Sequence, residues 1–199
     1  MSIRLYVEGG GDSKVLRRAC AKGFRMFMER VGLTGRLPRI VACGSREHAY
    51  QRFSITHNAG EGTPVLVVDA EGPVTVAGRW EHLAARCGWA RPVGATDEQC
   101  HLMVQVMESW FLADREALAS FYGQSFNPRA LPRNPDVEQV SKQAVFRGLE
   151  RATRKTQKGT YGKSSHSFDI LSVLNPTAVE AAAPHAKRFL DMLRAGGPG

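Results

Sequence analysis

Val7-Glu8-Gly9-Gly10-Gly11-Asp12-Ser13 follows the short run Ile3, Leu5, Tyr6, Val7, whose apolar, β-prone residues read as an opening strand. An amphipathic segment begins near Ser13. A strand, an acidic residue at its end, three glycines and a helix start describe a βα turn. In open α/β sheets, ligands bind at the carboxyl ends of strands. Glu8 stands at that position, beside backbone in which Gly9, Gly10 and Gly11 leave room for a substrate.

Outward from this turn, strand and helix patterns alternate. Ser13 to Val31 predicts a helix with the apolar stripe Val15, Leu16, Ala19, Phe24, Phe27, Met28 and Val31. Leu37 to Cys43 is a second strand candidate, and Arg46 to about Asn58 a second, more polar helix. Pro64-Val65-Leu66-Val67-Val68-Asp69 is the clearest strand, because a continuous Val/Leu run suits a strand buried on both faces of a parallel sheet. It ends in Asp69-Ala70-Glu71-Gly72-Pro73. A weaker helix is expected around Arg79 to Cys87, a fourth strand at His101 to Val106, and a helix from Met107 to about Phe121. Beyond a Pro- and Arg-rich loop at Asn127–Pro135, helices are expected over Asp136–Arg154, Ser164–Leu174 and Thr177–Arg194, the last opened by Asn175-Pro176. The expected architecture is a single α/β domain over residues 1–199. Its mainly parallel sheet of about four strands lies within residues 1–125, and its helical part spans about 136–195.

Composition sets bounds on the partners. The 199 residues carry 27 Lys and Arg against 19 Asp and Glu, a formal net charge of +8. Such a surface favours polyanions, nucleic acid or nucleotides first. The four cysteines form no C-x-x-C pair, which argues against a zinc ribbon or a disulfide framework and for buried free thiols. No secretory leader and no membrane span is legible, so a cytoplasmic protein is expected. The histidines at 48, 57, 82, 101 and 185 show no metal spacing, and the three tryptophans read as core.

Acidic residues close three strands: Glu8, the pair Asp69 and Glu71, and Glu108 with Asp114 behind it. In adjacent parallel strands these ends converge on one rim. Crowded carboxylates resist ionisation unless a cation neutralises them, and hard oxygen donors select Mg²⁺ or Mn²⁺ over zinc. Any one of these acids can instead cap a helix or join a surface ion pair. The glycines do not make a dinucleotide fingerprint or a P-loop, and no Gly-x-Ser-x-Gly elbow is present. The stretch from Lys142 to Lys163 holds seven cations against Glu150 alone. Thr156–Ser165, with Gly159 and Gly162, reads as a basic loop in which Lys158 and Tyr161 are suited to phosphate contact. Lys163 and His166 open the next helix, a natural anion site.

These residues together resemble the Toprim domain of topoisomerases, primases and OLD-type nucleases. The likeness lies in a glutamate after the first strand (Val7-Glu8-Gly9) and an acidic pair after a later one (Asp69-Ala70-Glu71). Closer still is an uncharacterised bacterial family of Toprim-like proteins, often encoded beside an AAA or ABC-type ATPase. Gln105 to Asp114, Tyr161-Gly162-Lys163 with His166, and Asn175-Pro176 look like its pattern. The resemblance implies Glu8 as ligand or general acid/base, Asp69, Glu71 and Glu108 as ligands of Mg²⁺ or Mn²⁺, and Lys163 neutralising charge on a phosphate. Glu71 departs from the aspartate usual there and shifts the second ligand by a methylene.

The function implied is a metal-dependent nuclease on DNA or RNA, working with an ATPase in defence against foreign DNA and possible as a homo-oligomer. The alternatives are a non-catalytic subunit binding nucleic acid or the ATPase, and nucleotidyl or phosphoryl transfer to a small nucleotide.

Overall fold

The computed structural model describes residues 3–198. Its sheet has four parallel strands in the order β2-β1-β3-β4: β1 (Ile3–Gly10), β2 (Arg39–Gly44), β3 (Thr63–Asp69) and β4 (Cys100–Met103). β1 pairs with β3 in the register Leu5 to Val65 and Val7 to Val67. Strand alternation then sends side chains to two cores. Leu5, Val7, Val65 and Val67 face one layer, and Tyr6, Leu66 and Val68 face the other.

The first layer contains α1 (Lys14–Arg30), whose Phe24, Phe27 and Met28 are fully buried. Ser13 caps it, its hydroxyl accepting from the Leu16 amide at 3.3 Å. Trp110 packs against Phe27 (ring centroids 5.7 Å apart) and edge-on to Phe24. The second layer holds α2 (Arg46–Asn58) and α3 (Arg79–Cys87), with Phe53, Trp80, Leu83 and Trp89 in its core. The connection leaving β1 therefore runs over one face to β2. The connection leaving β3 runs over the other face to β4. The gap between the carboxyl ends of β1 and β3 is thus the switch point of a doubly wound sheet, where ligands bind in this architecture.

Several boundaries differ from expectation, each for a local reason. Val15 does not join the apolar stripe of α1; it is 72 % exposed on the first turn. β4 ends at Met103, because Val104 to Met107 leaves the sheet and curls over the strand ends. There Gln105 O accepts from the Glu71 amide at 2.8 Å. The helix expected from Met107 is two helices, α4 (Ser109–Ala113) and α5 (Arg115–Tyr122). Asp114 breaks it: its carboxylate caps α5 through the Ala117 amide and takes the Asn175 amide at 2.7 Å. A short 3₁₀ turn at Val137–Gln139 precedes α6 (Lys142–Thr153), which starts where Ser141 caps it.

α7 (Lys163–Val173) packs on α1 so closely that a Cβ on Gly23 would lie 2.6 Å from Phe168 O. The last expected helix is also two, α8 (Pro176–Ala182) and α9 (Pro184–Arg194). Pro184 lacks the amide that would continue α8 and opens a new helix instead. Asn175 and Pro176 cap and start α8 as the sequence implies. No described helix is long and apolar enough to cross a membrane.

Removing a ring from the first core should be severe. Phe27→Ala is expected to cost about 3–5 kcal/mol, whereas Val15→Ala should stay within about 0.5 kcal/mol; urea unfolding of both variants checks the pair.

Candidate metal centre

β1 and β3 bring Glu8 and Asp69 side by side, and the Asp69 amide donates to Glu8 Oε2 at 3.1 Å. Asp69 is buried. Its Oδ1 accepts from the Met107 amide at 2.8 Å, a bond made available by the curl after β4. Glu71 follows with φ at 62°, a left-handed conformation uncommon outside glycine. Its amide bond to Gln105 O and the Arg86 guanidinium donating to Glu71 O at 2.6 Å hold that geometry. One carboxylate oxygen from each of Glu8, Asp69 and Glu71 lies within 4.8 Å of the other two, the single such acidic cluster among the described residues.

Three cations meet this trio. Lys163 Nζ lies 3.7 Å from Asp69 Oδ2, Lys142 is ion-paired with Glu71, and Arg46 donates to Asp69 O at 3.0 Å. The Arg46 guanidinium also sits 5.1 Å over the Trp89 ring. Burial raises the Glu8 carboxyl, and the Asp69 amide with the charges of Arg46 and Lys163 offsets only part of that. Burial, then the Glu8 charge, pushes Asp69 well above the usual carboxylate range despite Lys163. Lys163 is opposed by burial, but Glu108, Asp69 and Glu8 together raise it, so it stays charged.

Glu108 is not one of the trio. It is fully buried, and its Oε1 accepts from the Tyr161 hydroxyl at 3.0 Å and the Ser167 hydroxyl at 3.4 Å, with Lys163 Nζ 3.8 Å away. The expected fourth ligand is therefore placed behind Lys163, where it positions the ammonium. Tyr161 departs from the exposed phosphate contact expected of it: its ring is buried between Phe111 and Phe146, and its hydroxyl points to Glu108. His166 also turns inward, its Nδ1 accepting from the Gly162 amide at 3.2 Å. Lys158 is exposed, with its ammonium over Phe121.

A cavity of about 330 Å³ opens over Glu8 and Asp69; Lys163, Ser164, Leu16, Met103, Met107 and Phe168 also line it, and Glu71 stands outside its wall. Gly9, Gly10 and Gly11 form its wall. The first two serve packing rather than substrate room. A Cβ on Gly9 would lie 2.8 Å from Cys20 Sγ, and one on Gly10 would lie 2.6 Å from the Arg17 backbone. Only Gly11 faces open space.

Reading the sequence did not single out Arg46, Lys142 or Ser167. Arg46 and Lys142 each stand at the first position of a helix, next to a serine cap, and that pattern was their only local signal. The three carboxylates suit a hard divalent ion, since they offer only oxygen and repel one another until a cation arrives.

Carboxylates gathered at the switch point of a parallel sheet, with a lysine facing them, define the class: a Rossmann-like α/β protein whose acidic rim can hold a divalent cation. The chain belongs to DUF4276, a domain of unknown function, whose family model matches residues 7–194. No curated protein and no solved structure matches it.

Raised carboxyls bind more protons in the folded than in the unfolded chain, so their stabilisation is complete below the ordinary carboxylate range and is lost as pH rises through their folded values. Buried His101, lowered to about 3 by burial first and then by Arg79, works the other way: its neutral form favours folding at neutral pH and destabilises as pH falls below about 6.5. In EDTA, Asp69→Asn should therefore melt above the parent at pH 8 and lose that advantage near pH 4. Thermal melts of both proteins across this range isolate Asp69, because His101 is common to both.

Proposed function

We propose that this protein is a Mg²⁺- or Mn²⁺-dependent phosphodiester hydrolase acting on DNA or RNA. The observation that carries the reading is the placing of Glu8, Asp69 and Glu71 within 4.8 Å of one another at the switch point, beside a lysine that remains charged. Glu8, Asp69 and Glu71 would hold the ion, which when bound supplies Lewis-acid charge to a phosphoryl oxygen.

The chain's own groups do the rest. Lys163, its side chain 54 % exposed and reaching toward the cavity, meets negative charge on a phosphate oxygen. Glu108, Tyr161 and Ser167 fix where that ammonium stands. Leu16, Met103, Met107 and Phe168 keep water from one side of the reacting group. Glu8 would serve as an oxygen ligand, its carboxylate fixed by the Asp69 amide. Support for an ATPase partner, and for a role in defence against foreign DNA, comes from the resemblance of Gln105–Asp114 and Tyr161–Lys163 to Toprim-like proteins encoded beside such ATPases.

A second reading has one observation in its favour. Lys142 already pairs with Glu71 and Lys163 with Asp69, so the acidic charge is partly balanced from within. A non-catalytic subunit that binds nucleic acid or an ATPase would need no more than that.

Titration calorimetry with Mn²⁺ separates the two: the hydrolase binds the ion in the millimolar range or tighter, and the binding module does not. With Mn²⁺ the parent should cut nucleic acid, while Glu8→Gln and Asp69→Asn should abolish cutting. Lys163→Met is expected to lower the rate by about 10²–10³-fold with Mn²⁺ affinity little changed. Cutting by both carboxylate variants at the parental rate would refute the site.

A further inference from the structure

The open edge of the sheet carries charge that the acidic cavity does not use. Among the described residues β2 pairs only with β1, so no strand lies on its outer edge. Two grooves flank that edge and share Arg39. On the α1 side a groove of about 570 Å³ is lined by Lys22, Arg25 and Arg39 with Leu37, Pro38 and Ile40. On the α2 side one of about 260 Å³ is lined by Arg4, Arg39 and Arg52 with Val41 and the 69 % exposed Ile55. Neither groove has an acidic residue in its wall. Glu29 pairs with Arg25 and Glu61 with Arg4 from outside, whereas Lys22, Arg39 and Arg52 have no ion-pair partner among the described residues. Arg4 and Arg39 stand directly across from each other in the β1–β2 ladder. Like charges so paired repel, and a polyanion relieves them.

The track continues to the cavity. Arg17 packs against Gly10, a wall residue of the cavity. Buried Cys43 stands near the end of β2. The next residue, Gly44, lines the cavity. From Arg39 to Gly44 the edge is about 17 Å long at ~3.3 Å per residue.

The geometry points to the β2 edge, with Arg4, Arg17, Lys22, Arg25, Arg39 and Arg52, as the surface that binds a nucleic-acid backbone and leads it to the Glu8–Asp69 cavity. Resting on the hydrolase reading, this names where its polymer substrate lies. Nucleic acid is the occupant this charge complements, because no carboxylate lines either groove and β2 runs from Arg39, shared by both grooves, to Gly44 in the wall of the acidic cavity. The contacts are to phosphates, so binding is insensitive to sequence and sensitive to salt.

The test is fluorescence anisotropy of a labelled 30-base-pair duplex of arbitrary sequence, in EDTA, over a series of KCl concentrations. Arg39→Ala/Arg52→Ala should weaken binding at least tenfold at low salt and reduce the salt slope by about two. The charge-matched control Arg133→Ala/Arg188→Ala, at exposed positions elsewhere, should leave the slope unchanged. Arg39→Lys/Arg52→Lys should bind nearly as the parent does, which excludes a folding defect. Equal losses in both alanine doubles would reduce the effect to net charge and overturn the proposal. So would a parent that ignores the duplex while binding acidic peptides or phosphatidylserine vesicles. Because EDTA removes catalysis, binding that depends on Arg39 and Arg52 without any cleavage in Mn²⁺ would defeat the hydrolase reading and leave this surface standing. Cleavage that is indifferent to both arginines would do the reverse.

Discussion

The parallel pairing of β1 with β3 is the constraint on which the site depends. Register places Val7 opposite Val67, so Glu8, one residue further along β1, and Asp69, the last residue of β3, stand side by side, and the Asp69 amide reaches the Glu8 carboxylate. A parallel sheet buried on both faces tolerates no slip, because a shift of one residue would exchange its two cores. Leu5, Val7, Val65 and Val67 thereby fix the register that brings the two carboxylates together. The crossovers leave these strands toward opposite faces, and that divergence opens the cavity over the acids.

The electrostatics of the rim follow from this forced proximity. Asp69, buried, and Glu8, half-buried, cannot both ionise cheaply, so burial raises both and the Glu8 charge adds to Asp69. The chain compensates with Lys163, Lys142 and Arg46, each carried on the first turn of a different helix. Lys163 is the most tightly specified of the three. Its ammonium stands between Asp69 and Glu108, and Glu108 is in turn held by Tyr161 and Ser167. Such a chain of buried polar groups is worth most when intact and is costly when one member is removed.

The helices after residue 136 are part of this site. α7 packs on α1 across Gly23 and delivers Lys163, Ser164 and Phe168 to the cavity wall. Asp114 ties the start of α5 to the turn before α8, so the carboxyl-terminal helices and the sheet share one core.

Much of this was legible in local sequence. The Val65–Val68 run marks a buried strand, Ser13 and Ser45 mark helix starts, and an acid closing each of two strands before a glycine marks the rim. These signals are short-range: periodicity, caps and the backbone freedom of glycine. Tertiary structure alone decided which acids meet. Glu108 and Glu71 look alike in sequence, yet the curl of Val104–Met107 sends Glu108 behind Lys163 and brings Glu71 to the ion-binding side. It likewise turned Tyr161 inward, because a ring buried against Phe111 and Phe146 gains more than one left on a loop. The partners of Lys163 are remote in sequence. Pairings across 55 to 94 residues leave no periodic trace, and only packing selects among them.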